Sequence, residues 1–191
     1  MTGIRVGEKV KYTYRDYLSF PDDGYTYQII DGEVFMSPAP SPHHQRVLKR
    51  IGRALDEFVE SNELGEVFYA PCDVVLSEEN VVQPDIFFIS SERLHVIEES
   101  CVRGAPDLVV EILSPSSREL DEVHKKELYE RFGVKEYWVV DPEKEVVVVW
   151  TLSGRGFKLH GRFGVGQTLS SPLLKGLTVE IEGIFRSAPR P

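Results

Sequence analysis

The stretch Asp107-Leu108-Val109-Val110-Glu111-Ile112-Leu113 decides how the rest of the chain is read. Strand alternation sends Leu108, Val110 and Ile112 to one face and Val109, Glu111 and Leu113 to the other. Both faces are apolar, as in a strand covered on two sides. One carboxylate, Glu111, therefore sits among apolar neighbours. A lone buried carboxylate is costly unless it is paired, protonated or bound to a metal. A salt bridge at the strand end is the plain structural alternative.

Working outward, Gln83-Pro84-Asp85-Ile86-Phe87-Phe88-Ile89 is a second apolar strand opened by a carboxylate, Asp85. Proline at 84 marks the start of that strand or a bend in a longer one covering 81–89. Two carboxylates on neighbouring strands can converge on one divalent ion, and hard oxygen ligands suit Mg²⁺ or Mn²⁺. A Pro-Asp pair alone also fits a turn or cap. Downstream, Ser114-Pro115-Ser116-Ser117 breaks the strand, and 120–132 reads as a helix closed by Gly133. Within it Asp121 and Lys125 are spaced i, i+4, the pattern of a surface ion pair. Because the helix starts just past the strand, Lys125 could instead reach back to Glu111. An ammonium there would orient a water and stabilise charge growing on a phosphate.

Upstream, Tyr27-Gln28-Ile29-Ile30 and Glu33-Val34-Phe35-Met36 flank Asp31-Gly32, a strong hairpin signal. A short helix is predicted at 13–18. A longer one is predicted over 41–62, with Ser41-Pro42 as its start and Val47, Ile51, Leu55 and Val59 on one face. Arg46, Lys49, Arg50 and Arg53 form a basic stripe on that helix, readable as a solvated face or as a hold on a nucleic-acid backbone. Residues 67–76 read as one extended segment, and 90–104 as a short helix plus loop. Residues 136–140 and 145–150 read as a hairpin around Asp141-Pro142-Glu143-Lys144. Tyr137, Trp138 and Trp150 read as core aromatics, and 151–185 is glycine-punctuated and β-like. The whole is an α/β (α+β) arrangement, a central mixed sheet flanked by helices, expected as one domain over 1–191.

The bulk numbers set bounds. The 191 residues are 41% hydrophobic and 28% charged, which suits an ordinary globular chain. No apolar run is long enough to span a bilayer. Met1 to Lys11 lacks a signal-peptide core, so the cytoplasm is the expected compartment. Cys72 and Cys101 lie outside any CxxC or Cys/His cluster, which argues against a zinc site or disulfide framework. The net charge of −9 argues against nucleic-acid binding by the whole surface, and it also fits a carboxylate cluster neutralised by a divalent ion. No Gly-rich phosphate loop is present, which argues against a built-in NTPase.

Pro84-Asp85 followed by Glu111 after a gap of 25 residues is similar to the PD-(D/E)xK signature of restriction-type nucleases. The surrounding segments Tyr27 to Glu33, Ser41-Pro42-His43-His44-Gln45, Val82 to Asp85, Leu108 to Ser117, Lys125 with Tyr129, and Gly133 to Asp141 occur in order. Over residues of about 25 to 150 the chain resembles the bacterial Uma-two family of restriction endonucleases. The resemblance implies a restriction-endonuclease-like fold and an Mg²⁺-dependent endonuclease acting on DNA. It makes Asp85, Glu111 and the Ile112 carbonyl metal ligands, and Glu33 an accessory acid. It makes His44 a phosphate contact or proton carrier, although a helix-start histidine also serves as a cap. The motif expects lysine two positions after the glutamate, where this chain has Leu113. The functional lysine then moves to the next helix, at Lys125, with Lys126 as the adjacent choice. A symmetric homodimer is the expected assembly. The competing expectation is a catalytically inactive module of the same fold, serving DNA binding or assembly.

Overall fold

The computed structural model describes residues 10–186, and its strands divide between two large sheets and a two-stranded hairpin where the sequence reads as one central sheet. One sheet takes strands β1 (Thr26–Ile30), β2 (Glu33–Ser37), β4 (Val74–Ser77), β5 (Asn80–Val82) and β7 (Val102–Arg103). Their spatial order is β2-β1-β5-β4-β7. The larger sheet takes β3 (Gly65–Tyr69), β6 (Ile86–Ser90), β8 (Leu108–Ile112), β9 (Glu136–Asp141), β10 (Val146–Ser153) and β11 (Gly156–Gly164), in the order β11-β10-β9-β8-β6-β3. It is mixed, because β8 runs parallel to β9 and antiparallel to β6. A small hairpin, β12 (Thr168–Ser170) with β13 (Thr178–Glu180), completes the strands.

The apolar alternation of β8 appears as expected. Leu108, Val110 and Ile112 pack in a cluster with Val47, Ile51 and Leu55 of α2 (Pro42–Ser61). Val109 and Leu113 pack on the opposite face with Leu128 and Tyr129 of α3 (Lys126–Phe132). The strand is thus covered by a helix on each side, as its continuous apolar run requires. Ser41 caps α2 by accepting the His44 N–H at 3.2 Å. In the first hairpin, Asp31 and Gly32 both take positive φ, 52° and 80°, the conformation of a type I′ turn.

Several expectations are corrected. The segment 67–76 is two strands rather than one, and 81–89 breaks at Pro84, one of the two readings that proline allowed, with a separate short strand before it. Each crosses from one sheet to the other, at Pro71 and at Gln83-Pro84-Asp85. Proline has no N–H for an interior ladder, so the pairing stops there and the chain changes sheets. The segment 90–104 contains a 3₁₀ helix, Ser91–Val96, and also β7, which pairs parallel with β4. The predicted helix 120–132 opens with a π-helical turn, Leu120–Lys125, before α3 begins. The C-terminal part is not wholly β-like. It ends in a short helix, Ile181–Phe185, whose Ile184 carbonyl accepts from Arg50 of α2 at 2.8 Å. The short helix near the N-terminus spans Tyr14–Tyr17. Among the described residues no helix is long and apolar enough to cross a membrane.

Asp141, at the end of β9, ties the turn after it to the segment that enters the π-helical turn. It accepts from Arg118 Nη1 at 2.8 Å and from the backbone N–H of Glu143 and Lys144 at 3.1 Å each. Burial pushes this carboxyl up, but the Arg118 guanidinium and the Lys144 donors outweigh it and bring it down to about 2. A depressed carboxylate contributes stability that is present above its unfolded value and lost as pH falls through the folded one. Acid unfolding of the wild type should therefore lose on the order of 1–2 kcal/mol between about pH 4 and pH 2 from this group. Arg118→Ala should be less stable at neutral pH and show a flatter dependence in that window. Equal slopes in urea melts of the two proteins would contradict this.

Candidate active site

Asp85 ends the crossover into β6. It falls beside Glu111 because its neighbour Ile86 pairs with Val110 in the ladder. Asp85 Oδ2 accepts the Ile112 backbone N–H at 2.7 Å, and the Asp85 backbone N–H donates to Glu111 Oε2 at 3.4 Å. Each carboxylate is thus held by the main chain of the other's strand. The site lies at the carboxyl end of β8, where β8 runs alongside β9. Ligand sites of α/β sheets favour such strand ends.

Glu111 is 2% exposed, and its Oε1 accepts from Lys125 Nζ at 2.9 Å and from the Tyr129 hydroxyl at 2.7 Å. Lys125, 3% exposed, also lies 3.1 Å from Asp121 Oδ1. The two sequence alternatives for Lys125 are therefore both realised, and the pair with Asp121 is buried rather than on the surface. The adjacent Lys126 points elsewhere, with its Nζ 3.4 Å above the Trp150 ring centroid. Of the two lysines, Lys125 is the one that reaches Glu111.

His44 enters from the first turn of α2. Its Nε2 lies 3.2 Å from Asp85 Oδ2 and 3.1 Å from the Ile112 carbonyl oxygen. Burial disfavours its charge, but the contact with Asp85 outweighs that and raises its pKa. His44 Nδ1 is buried and has no hydrogen-bond partner among the described residues. A metal-bound imidazole normally donates its other N–H to an acceptor. With none at Nδ1, the proton belongs on Nε2, and His44 stands as a donor to Asp85 and Ile112. These groups line a cleft of about 680 Å³, together with Gln28, Asp121 and the loops 37–41 and 114–117.

Glu33 is not brought into this cleft. It is exposed at the start of β2. A five-residue strand puts it roughly 13 Å from Ser37, the β2 residue that does line the cleft. The basic stripe of α2 does not line the cleft either. Arg50 is spent on the C-terminal helix, Arg53 pairs with Glu57 at 2.6 Å, and Arg46 and Lys49 are exposed. Tyr137 and Trp138 are core residues, as expected, and Trp150 is partly buried beneath Lys126.

Sequence reasoning missed three residues of the site. In the sequence Asp121 reads only as half of a surface pair, and Tyr129 only as a marker of spacing. A signal was present, because 121, 125 and 129 fall at i, i+4 and i+8 on one helix face. Gln28 carried no such signal. It is buried, and its Oε1 accepts the Gln83 N–H at 3.1 Å, holding the crossover that presents Asp85.

The charges of the cluster do not balance. Glu111 and Asp121 are buried with one ammonium between them, and Asp85 is close by. Burial pushes the Glu111 and Asp121 carboxyls up, against the pull of Lys125. Burial also works against the Lys125 charge, but Asp121 and Glu111 outweigh it and hold the ammonium above its usual pKa. The ammonium is thus favoured by its two carboxylate neighbours, while the carboxylates together carry more negative charge than one lysine offsets. A donor set of hard oxygens with surplus negative charge fits a divalent cation such as Mg²⁺. Among the described residues no three His, Cys, Asp or Glu side chains are already gathered as a metal site. The groups available to an ion are the Asp85 and Glu111 carboxylates and the Ile112 carbonyl.

The mixed sheet thus sets an aspartate at one strand's start beside a glutamate near its neighbour's end. The chain belongs to the Uma2 family, described as "Putative restriction endonuclease", which it matches over residues 14–182. That span is wider than the 25–150 region expected. The fold is shared with a crystal structure titled as a putative nuclease belonging to DUF820 from Anabaena variabilis ATCC 29413. The two are 19% identical with a TM-score of 0.75, covering 91% of this chain and 97% of the other. Comparison with curated proteins gave no match.

Removing Lys125 leaves two buried carboxylates without a cation. Lys125→Ala should therefore cost about 3–5 kcal/mol of stability. Lys126→Ala should cost no more than about 1 kcal/mol, the scale of a lost cation–π contact. Guanidinium melts at neutral pH measure both, and equal losses would contradict the assignment of Lys125 to the buried cluster.

Proposed function

We propose that the protein is a metal-dependent endonuclease that hydrolyses DNA phosphodiester bonds, with Mg²⁺ or Mn²⁺ held by Asp85, Glu111 and the Ile112 carbonyl. The observation that carries this reading is the meeting of Asp85, Glu111 and a buried, charged Lys125 in one open cleft. A divalent ion bound there supplies charge neutralisation at a phosphate and acidifies a water. The protein's own groups do the rest. Lys125 holds an ammonium beside the reacting position and stabilises charge growing on the phosphate oxygens. Tyr129 fixes the Glu111 carboxylate from behind at 2.7 Å. His44, at the edge of the cleft, can pass its Nε2 hydrogen bond from Asp85 to a phosphate oxygen. Cutting both strands of a duplex takes two such sites, which a symmetric homodimer provides.

The rival reading is an inactive module of the same fold that binds DNA or assembles. One observation favours it. Leu113 occupies the motif's lysine position and is buried in the apolar cluster under α3, at 4% exposure. The buried ammonium of Lys125 answers it, since a charged group reaches Glu111 from the helix instead.

Calorimetric titration with Mn²⁺ separates the two. The wild type should bind one ion per chain, and Asp85→Ala and Glu111→Ala should each lose at least tenfold in affinity. A folded wild type that binds no Mn²⁺ would favour the inactive module. The binding should also depend on pH. Burial raises the Glu111 carboxyl, so a proton competes with the ion and is released on binding. Affinity should therefore climb as pH rises from acidic through neutral, and affinity independent of pH would rule out Glu111 as the ligand. Where binding is present, nicking of supercoiled plasmid in Mn²⁺, absent in the same two variants, tests the reaction itself.

A further inference from the structure

Lys125 is placed by a helix, not by the catalytic strand, and a lysine side chain has four rotatable carbons to hold in line. Its Nζ has two anionic neighbours, Glu111 Oε1 at 2.9 Å and Asp121 Oδ1 at 3.1 Å. The two differ in what else they do. Glu111 is offered to the metal in the reading above, and its Oε1 also carries the Tyr129 hydroxyl. Asp121 is 2% exposed, and among the described residues no other cation is paired with it. Its Oδ1 lacks a well-aligned hydrogen bond of its own. It sits in the π-helical turn Leu120–Lys125, whose backbone is pinned at the Asp121 carbonyl by the buried Tyr137 hydroxyl at 2.8 Å. Single π turns inside helices cluster at functional sites, where the wider winding redirects side chains.

We propose that Asp121 is a positioning residue, which holds the Lys125 ammonium at the site and thereby leaves Glu111 free to bind a divalent ion. The proposal rests on the metal-centre reading. With a single carboxylate, the ammonium and the metal would compete for Glu111. With Asp121 present, the ammonium keeps one partner when Glu111 turns to the ion. The function-bearing lysine can then sit on the helix without blocking the carboxylate it serves.

The test is Mn²⁺ affinity by calorimetry on the full chain, with circular dichroism to check folding. Asp121→Asn should weaken Mn²⁺ binding by at least about tenfold, the cost of locking Lys125 onto Glu111. Asp121→Glu, which keeps the carboxylate, should stay within about threefold of wild type. Glu122→Gln removes a neighbouring exposed charge that does not touch Lys125, and should also change affinity by less than about threefold. The double variant Asp121→Asn with Lys125→Met should recover most of the loss. Unchanged affinity in Asp121→Asn would overturn the proposal. So would a loss that persists in the double variant, because Asp121 would then act on the ion directly. A wild type that binds no Mn²⁺ overturns the metal centre itself, and that result is distinguishable because it appears before any variant is made. A second measurement needs only the wild type. The Lys125 ammonium signal in nitrogen-15 NMR should remain protected from solvent exchange at saturating Mg²⁺, and its loss would overturn the proposal.

Discussion

The contact between Glu111 and Lys125 is the constraint around which the rest is arranged. A carboxylate in the middle of a two-sided sheet is affordable only with a partner that is equally buried. The strand cannot supply one, because its next outward position on that face is Leu113. The partner therefore comes from the following helix. That helix has to start immediately after the strand, turn back at Ser114 to Ser117, and present 121, 125 and 129 to the sheet. The π-helical turn, the Tyr129 hydroxyl on Glu111 and the Tyr137 hydroxyl on the Asp121 carbonyl all serve that geometry.

The second sheet meets a different need. Asp85 must arrive at the end of β8 from outside the main sheet, so its chain crosses over from β5 at a proline. The crossover is held by Gln28 from the first hairpin, and by Gln83 Nε2, which donates to Asp73 Oδ1 at 2.8 Å and to the Tyr17 hydroxyl at 2.9 Å. The turn of the first hairpin is itself tied to α3, where Arg131 donates to Asp31 at 2.6 and 3.2 Å. The smaller sheet thus acts as a bracket. It fixes one wall of the cleft relative to the helix that carries Lys125.

Much of this was legible in the residues. Strand β8 and its two faces follow from alternation alone, and α2 follows from its apolar stripe and the Ser41-Pro42 start. The first turn follows from Asp31-Gly32, which needs positive φ at two successive positions. What was hidden is non-local. A period of two reports that a segment is extended but not which sheet it joins, so 67–76 reads as one strand, and Pro84 marks a break in 81–89 without showing that the two parts lie in different sheets. The pairing of β7 with β4 leaves no mark in two residues. The i, i+4 spacing of Asp121 and Lys125 is the same in a surface pair and a buried one, and only the tertiary fold decides between them. Lys125 and Lys126 differ by one step of helix phase, which a π turn shifts. Glu33 enters the reading by resemblance alone, and the residues lining the cleft do not include it.

The central claim is that Asp85 and Glu111 hold a divalent ion beside Lys125. Anomalous diffraction from crystals soaked in Mn²⁺ tests it most directly, since it locates the ion without reference to any substrate. The account predicts one strong peak at oxygen-ligand distance from the Asp85 and Glu111 carboxylates and the Ile112 carbonyl, with Lys125 Nζ close by but outside the coordination sphere. No peak in that cleft at saturating Mn²⁺, or a peak held by other residues, would contradict it.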